Sequence, residues 1–177
     1  SCTYERFVCT DPQALAESGP HCRLEPFEGQ ENIDFLSSCY QSGHEDYDLA
    51  IWRDRSEWLF LLESNPDLNF LRLRDHGGSD LGYAWIYQDS KTLIPVELVL
   101  FRPDRNAESQ AIRALAGLAL SRSIPKIGGW QPPPPCLSDF FSVERRSKAR
   151  PMIWVEPDST LPAGLISHTP IYSSIYF

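Results

Sequence analysis

The side chains that could do chemistry in this chain are few and scattered. His44, Glu45, Asp46 and Asp48 crowd one polar loop, a combination that would attract a metal ion. No second cluster with ligand spacing accompanies them, and a solvated acidic loop is the simpler reading. His76 sits beside Gly77 and Gly78, while His21 and His168 lie toward the ends of the chain. Without a nucleophile elbow such as G-x-S-x-G, none of them makes a Ser-His-Asp hydrolase. No helical pattern follows Gly77-Gly78, so the pair reads as a hairpin turn and not as a phosphate loop. The five cysteines, Cys2, Cys9, Cys22, Cys39 and Cys136, are odd in number and lack CxxC spacing. Neither a zinc site nor a disulfide framework follows, which favours a reducing compartment; Cys2 would pair with Cys9 or Cys22 only in an oxidised sample.

Charge narrows the partners. Lys and Arg number 16 against 24 Asp and Glu, a formal charge of −8, and no Lys/Arg run is longer than the isolated pairs Arg145-Arg146 and Arg53/Arg55. That is no electrostatic footprint for nucleic acid or for an anionic membrane. The 177 residues, 42% of them hydrophobic, suit one folded domain with its own core. No apolar run approaches the roughly 18 residues that a membrane helix needs. The chain opens on Ser1 with no initiator Met, no signal-peptide pattern and no N-x-S/T sequon, so Ser1 reads as a processing or artificial boundary and the expected location is cytoplasmic.

The elements that must position these residues follow from periodicity. Residues 1–21 mix Pro, Gly and polar residues around a short apolar stretch and are expected to form an arm or linker. A short strand is expected at 22–27 and a helix over 31–40. A second, amphipathic helix over 50–63 carries Trp52 and Trp58 as anchors and is stopped by Asn65-Pro66. Residues 69–74 and 81–87 alternate around the Asp75–Ser79 turn, and a further turn at Asp89-Ser90-Lys91 leads into the most apolar strand, within 92–101. The best helix pattern covers 106–121, with Ala111, Ile112, Leu115, Leu118 and Ala119 on one face and Asn106 as its N-cap. Beyond it come a strand at 126–130 parallel to the preceding one, a four-proline connector, a short helix at 136–141 and a last strand at 151–155. The tail, 157–177, ends in Tyr172, Ile175, Tyr176 and Phe177, an apolar ending expected to dock.

This order of elements resembles the GNAT acyltransferase superfamily over residues 22–156. Leu81-Gly82-Tyr83-Ala84-Trp85-Ile86-Tyr87 is similar to the family's Gly-containing middle strand, Val96-Glu97-Leu98-Val99-Leu100-Phe101 looks like its fourth strand, and 106–121 looks like the helix that follows. The resemblance implies an α/β fold with a mixed, mostly antiparallel sheet of about six strands and helices on both faces. It also implies an acyl-CoA site between two splayed parallel strands and at the start of the long helix, formed by Val99, Leu100, Phe101, Arg105, Asn106, Ala107 and Ser109. By position, Glu97 looks like the general base; a carboxylate exposed on the strand, or paired with Arg72 or Arg74 across the hairpin, is the plainer reading of the same residue.

The family's Q/R-x-x-G-x-G/A pattern aligns with Asp104-Arg105-Asn106-Ala107-Glu108-Ser109, so Ala107 and Ser109 replace both glycines. Asp104 and Glu108 set negative charge where a pyrophosphate would lie, a repulsion of at least about 1 kcal/mol. In the short helix, Phe stands where many members have an acidic Tyr; Cys136 or Ser138 could substitute as the acid. Two functions are therefore implied. One is an N-acetyltransferase moving an acyl group from acyl-CoA to a small-molecule or peptide amine, which the loop around Asp46 and Asp48 could select for positive charge. The other is a degenerate, non-catalytic domain that shapes substrate or contacts a partner, such as an adjacent domain of a tandem protein or a second copy in a homodimer.

Overall fold

The computed structural model describes residues 4–45, 53–65, 69–102, 104–129 and 132–146. In chain order these form β1 (Tyr4–Cys9), α1 (Pro12–Glu17), β2 (Arg23–Phe27), α2 (Ile33–Gly43), α3 (Arg55–Ser64), β3 (Asn69–Arg74), β4 (Asp80–Gln88), β5 (Leu93–Leu100), α4 (Arg105–Ser121), β6 (Ile127–Gly129), a 3-10 turn (Pro135–Phe140) and β7 (Ser142–Arg146). The strands make one seven-stranded sheet in the order β2-β3-β4-β5-β6-β1-β7. Every neighbouring pair is antiparallel except β5 and β6, which run parallel in register at Leu93↔Ile127.

From β2 to β6 the order of elements is the expected one. The front of the molecule is not. Residues 4–17, expected within an arm, supply β1 and α1, and β1 lies between β6 and β7 with Phe7 opposite both Gly129 and Val143. Val8, Cys9 and Leu15 are buried in the core. Asp11-Pro12 proves to be a helix start: the Asp11 carboxylate accepts from the Ala14 N–H at 3.0 Å, and Pro12 takes the first helical position, where its missing N–H costs nothing. Among the described residues the sheet thus has seven strands, where about six were expected. Its last strand, β7, is the charged segment Ser142–Arg146; the stretch 151–155 and the tail lie outside the described residues, as do Asp46, Asp48, Trp52 and Trp130.

Alternation along the strands divides the interior into two cores, one on each face of the sheet. Leu71, Leu73, Ala84 and Ile86 point to the face covered by α1 and α4. Phe70, Tyr83, Trp85 and Val99 point to the face covered by α2 and α3. On the first face α4 buries Ala107, Ala111, Ala114, Ala116 and Ala119 around Leu115. Ile112 and Leu118 sit at the margins of this stripe, which lies rotated from the expected one. On the second face α2 approaches β5 so closely that a Cβ at Gly43 would stand 2.6 Å from the Leu100 carbonyl oxygen, and only glycine permits that contact.

Candidate functional site

Two features of β5 organise the candidate site. The first is a β-bulge: Trp85 pairs with Glu97 but the next residue, Ile86, pairs with Pro95, so Val96 is the extra residue. The bulge resets the alternation. Pro95 and Leu98 come to line a cleft against α4, while Glu97 projects to the α2/α3 face. The second is the departure of β6 from β5 beyond Leu93↔Ile127, which opens that cleft.

The cleft is small and apolar. It encloses about 40 Å³ between Pro95 and Leu98 of β5, Gly128 and Gly129 of β6, Glu108 and Ile112 of α4, and the cap formed by Pro132, Pro133 and Phe141. A few waters would fill it. Pro132 and Pro133 of the four-proline connector thus line the cleft. Glu108 is the only ionisable residue of this lining, and burial raises its carboxyl above the ordinary value against the lowering effect of Arg105.

The start of α4 differs from expectation in a way that bears on anion binding. Its N-cap is Asp104, two residues before the expected Asn106, and the Asp104 carboxylate accepts from the N–H groups of Asn106 and Ala107, each at 3.2 Å. A carboxylate is among the preferred caps, and its charge also complements the helix dipole. These are two of the donors that a bound phosphate would use. Arg105 and Asn106 are exposed, Ala107 and Ser109 are buried, and the Ser109 hydroxyl donates to the Arg105 carbonyl at 2.7 Å. At the end of β5 the chain likewise meets its own needs: the Val99 carbonyl accepts from Cys39 Sγ at 3.7 Å, and the Phe101 carbonyl accepts from the Ser42 hydroxyl at 2.9 Å. The Leu100 side chain is buried in the α1/α4 core.

Glu97 is neither exposed nor paired with Arg72 or Arg74. Its Oε2 accepts from Arg53 Nη1 at 2.8 Å and from the Tyr83 hydroxyl at 2.7 Å, with the Arg53 and Glu97 side chains 2% and 11% exposed. The Arg53 guanidinium also lies over the Tyr40 ring, 4.4 Å from its centroid, and over the Trp58 ring at 5.0 Å. Burial works against the charge on Arg53, but the Glu97 carboxylate and the hydrogen bond to it more than compensate, so Arg53 is held more firmly protonated than usual. Burial pushes the Tyr83 phenol well above its ordinary value, and Glu97 adds to the rise, so Tyr83 stays a donor. Arg72 instead reaches Asn32 at 3.1 Å and Asp80 at 3.9 Å; Arg74 reaches Glu25 at 3.1 Å and Asp80 at 3.0 Å.

Arg53 is the residue that sequence reasoning missed. Periodicity placed it inside a helix over 50–63, whereas α3 begins at Arg55 with Asp54 as N-cap, its carboxylate accepting from the N–H groups of Ser56 at 2.8 Å and Glu57 at 3.0 Å. The Asp54-x-x-Glu57 spacing was the available signal for that start.

The remaining candidates are committed elsewhere. His44 closes α2, its Nδ1 2.8 Å from the Tyr40 carbonyl and its ring stacked on Tyr40. Among the described residues no group of three or more His, Cys, Asp or Glu could hold a metal ion. Burial raises the thiols of Cys9, Cys22 (to about 11) and Cys39 (to about 12), which makes them packing residues and not nucleophiles. Cys136 is exposed, 3.1 Å from the Ser109 hydroxyl, and Ser138 donates to the Pro135 carbonyl at 2.8 Å. Among the described residues no helix is long and apolar enough to cross a membrane.

The mixed seven-stranded sheet, its parallel step at β5/β6 and helices on both faces define a GNAT-like fold. A conserved protein of unknown function from Enterococcus faecalis V583, described as a probable N-acyltransferase, superposes with a TM-score of 0.56 at 12% sequence identity over 81% of this chain and 37% of its own. A functionally unknown conserved protein from Staphylococcus epidermidis ATCC 12228 gives a TM-score of 0.49 at 12% identity over 83% of this chain and 53% of its own. The chain thus spans about a third to a half of the length of these structures. No family model and no curated protein matches it.

Proposed function

We propose that this chain is a GNAT-like domain of the N-acyltransferase type that has given up the acyl-CoA site and serves to shape a substrate site or contact a partner within a longer protein. The observation that carries the reading is the Asp104 cap: a carboxylate already accepts from the Asn106 and Ala107 N–H groups where a cofactor phosphate would have to bind. The small cleft of about 40 Å³, lined by Pro132, Pro133 and Phe141, supports it, since it would have to widen to admit a pantetheine arm. The membership of a longer protein rests on the short span of this fold within its structural neighbours.

A second reading, a catalytic N-acetyltransferase, is favoured by the divergence of β5 from β6 and by the position of Glu97. In that reading an amine attacks the acyl thioester, Glu97 takes the amine's proton and the thiolate leaves. Calorimetry with acetyl-CoA separates the two. The proposal expects no heat at millimolar cofactor; micromolar binding that Ala107→Asp abolishes would overturn it and favour the acetyltransferase instead.

A further inference from the structure

Arg53 is a charged side chain buried almost completely, and it comes from neither a helix nor a strand. It stands just ahead of the α3 cap. The described side chains around its guanidinium, by contrast, belong to regular elements: Tyr40 is on α2, Trp58 on α3, Tyr83 on β4 and Glu97 on β5. Two aromatic faces stack on the guanidinium, and a carboxylate steadied by the Tyr83 hydroxyl accepts its N–H. This is the chemistry by which proteins recognise an organic cation. The flat ring faces favour a planar guanidinium over a compact ammonium. The walls belong to the α2/α3 core, with Trp58 and Tyr83 fully buried, whereas Arg53 itself lies outside any helix or strand. Site and occupant are therefore separable.

We propose that Tyr40, Trp58, Tyr83 and Glu97 form a recognition site for an alkylguanidinium group, of the kind an arginine side chain of a partner or a small guanidine would present, and that Arg53 closes it from within as a built-in pseudo-ligand. The proposal deepens the non-catalytic reading by giving the contact its chemistry. Its test uses no CoA, so its failure leaves the cofactor question where calorimetry puts it.

The test is the full chain carrying Arg53→Ala, titrated with ethylguanidinium and followed by thermal melting and calorimetry, with ethylammonium as the control cation. The variant is expected to melt below the parent and to regain stability saturably at millimolar ethylguanidinium, binding it at least tenfold more tightly than the parent does and at least tenfold more tightly than it binds ethylammonium. Adding Glu97→Gln should remove the response. Equal binding by parent and variant would overturn Arg53 as the plug, and a response indifferent to Glu97→Gln would overturn the site. Should Arg53→Ala fail to fold, the refolding yield is the readout: recovery with ethylguanidinium supports the site, and no recovery overturns it.

Discussion

The two faces of the sheet are built on different physics. The α1/α4 face is aliphatic: a stripe of alanines on α4 lets the helix lie close to Leu71, Leu73, Ala84 and Ile86, and among the described residues the cleft at its edge is lined by one charged group, Glu108. The α2/α3 face is aromatic and holds an ion pair, with Phe70 stacked on Trp85 at 5.2 Å and Arg53 joined to Glu97 beneath Tyr40 and Trp58. Dispersion in a close-packed interior suffices for the first. The second must also satisfy buried polar atoms, and any partner removed there leaves a charge stranded in low dielectric. One sheet can therefore carry a face that tolerates only volume-conserving change beside a face whose stability depends on pairing.

The sharpest way to break this comparison is Glu97→Ala. It removes the carboxylate that accepts from the buried Arg53 guanidinium and should cost about 3–5 kcal/mol in urea denaturation, whereas Arg53→Met combined with Glu97→Leu should return to within about 1–2 kcal/mol of the parent or exceed it. A mild single-site effect would mean that the aromatic packing alone sustains that face. On the other face, Ala111→Leu inserts three carbons where the helix has no clearance and should cost about 1–3 kcal/mol, measured the same way. Asp104→Ala removes the α4 cap for about 1 kcal/mol; the same variant frees the Asn106 and Ala107 N–H groups, and a gain of phosphate or CoA affinity on calorimetry would identify the cap as the barrier to anion binding.

The smallest effect concerns Glu108. Its folded-state carboxyl is raised by burial, so the stability linked to its proton is present below the ordinary carboxylate range and is lost as pH rises through the raised value. Glu108→Gln should therefore stabilise the protein at neutral pH, by less than about 1 kcal/mol for a half-buried group. That advantage should vanish in denaturation curves taken at acid pH. A constant difference across pH would place Glu108 in open solvent and the cleft with it.

The elements from β2 to β6 were legible because each carries its own periodicity: alternation in 69–74 and 81–87, a helical stripe in 106–121, and Asp75 and Gly78 at the turn, where Asp75 Oδ1 accepts from the Ser79 N–H at 2.8 Å and Gly78 has a φ of +87°. β1 was not legible. Six residues, Tyr4–Cys9, pair with partners some 120–140 positions away, and nothing local announces a strand whose faces are set by neighbours so distant. β7 escaped for a related reason, since an edge strand with charged residues does not have the apolar run of an interior one. For the site, Glu97 stood out by its position on β5, but its partner did not: Arg72 and Arg74 are nearer in the hairpin, and Arg53 is 44 residues away.

By itself the sequence determined an acidic α/β chain, the order of its central elements and the small residues Ala107 and Ser109 at the start of α4, because composition, period and residue size are local properties. The tertiary structure decided how those pieces close. It set β1 between β6 and β7, turned the Asp104 carboxylate onto the α4 amides, and buried Arg53 against Glu97. The reason is physical: a buried charge or an unpaired strand edge must find whatever partner the packed chain brings within about 3 Å, and that distance is fixed by packing across the fold and not by spacing along the chain.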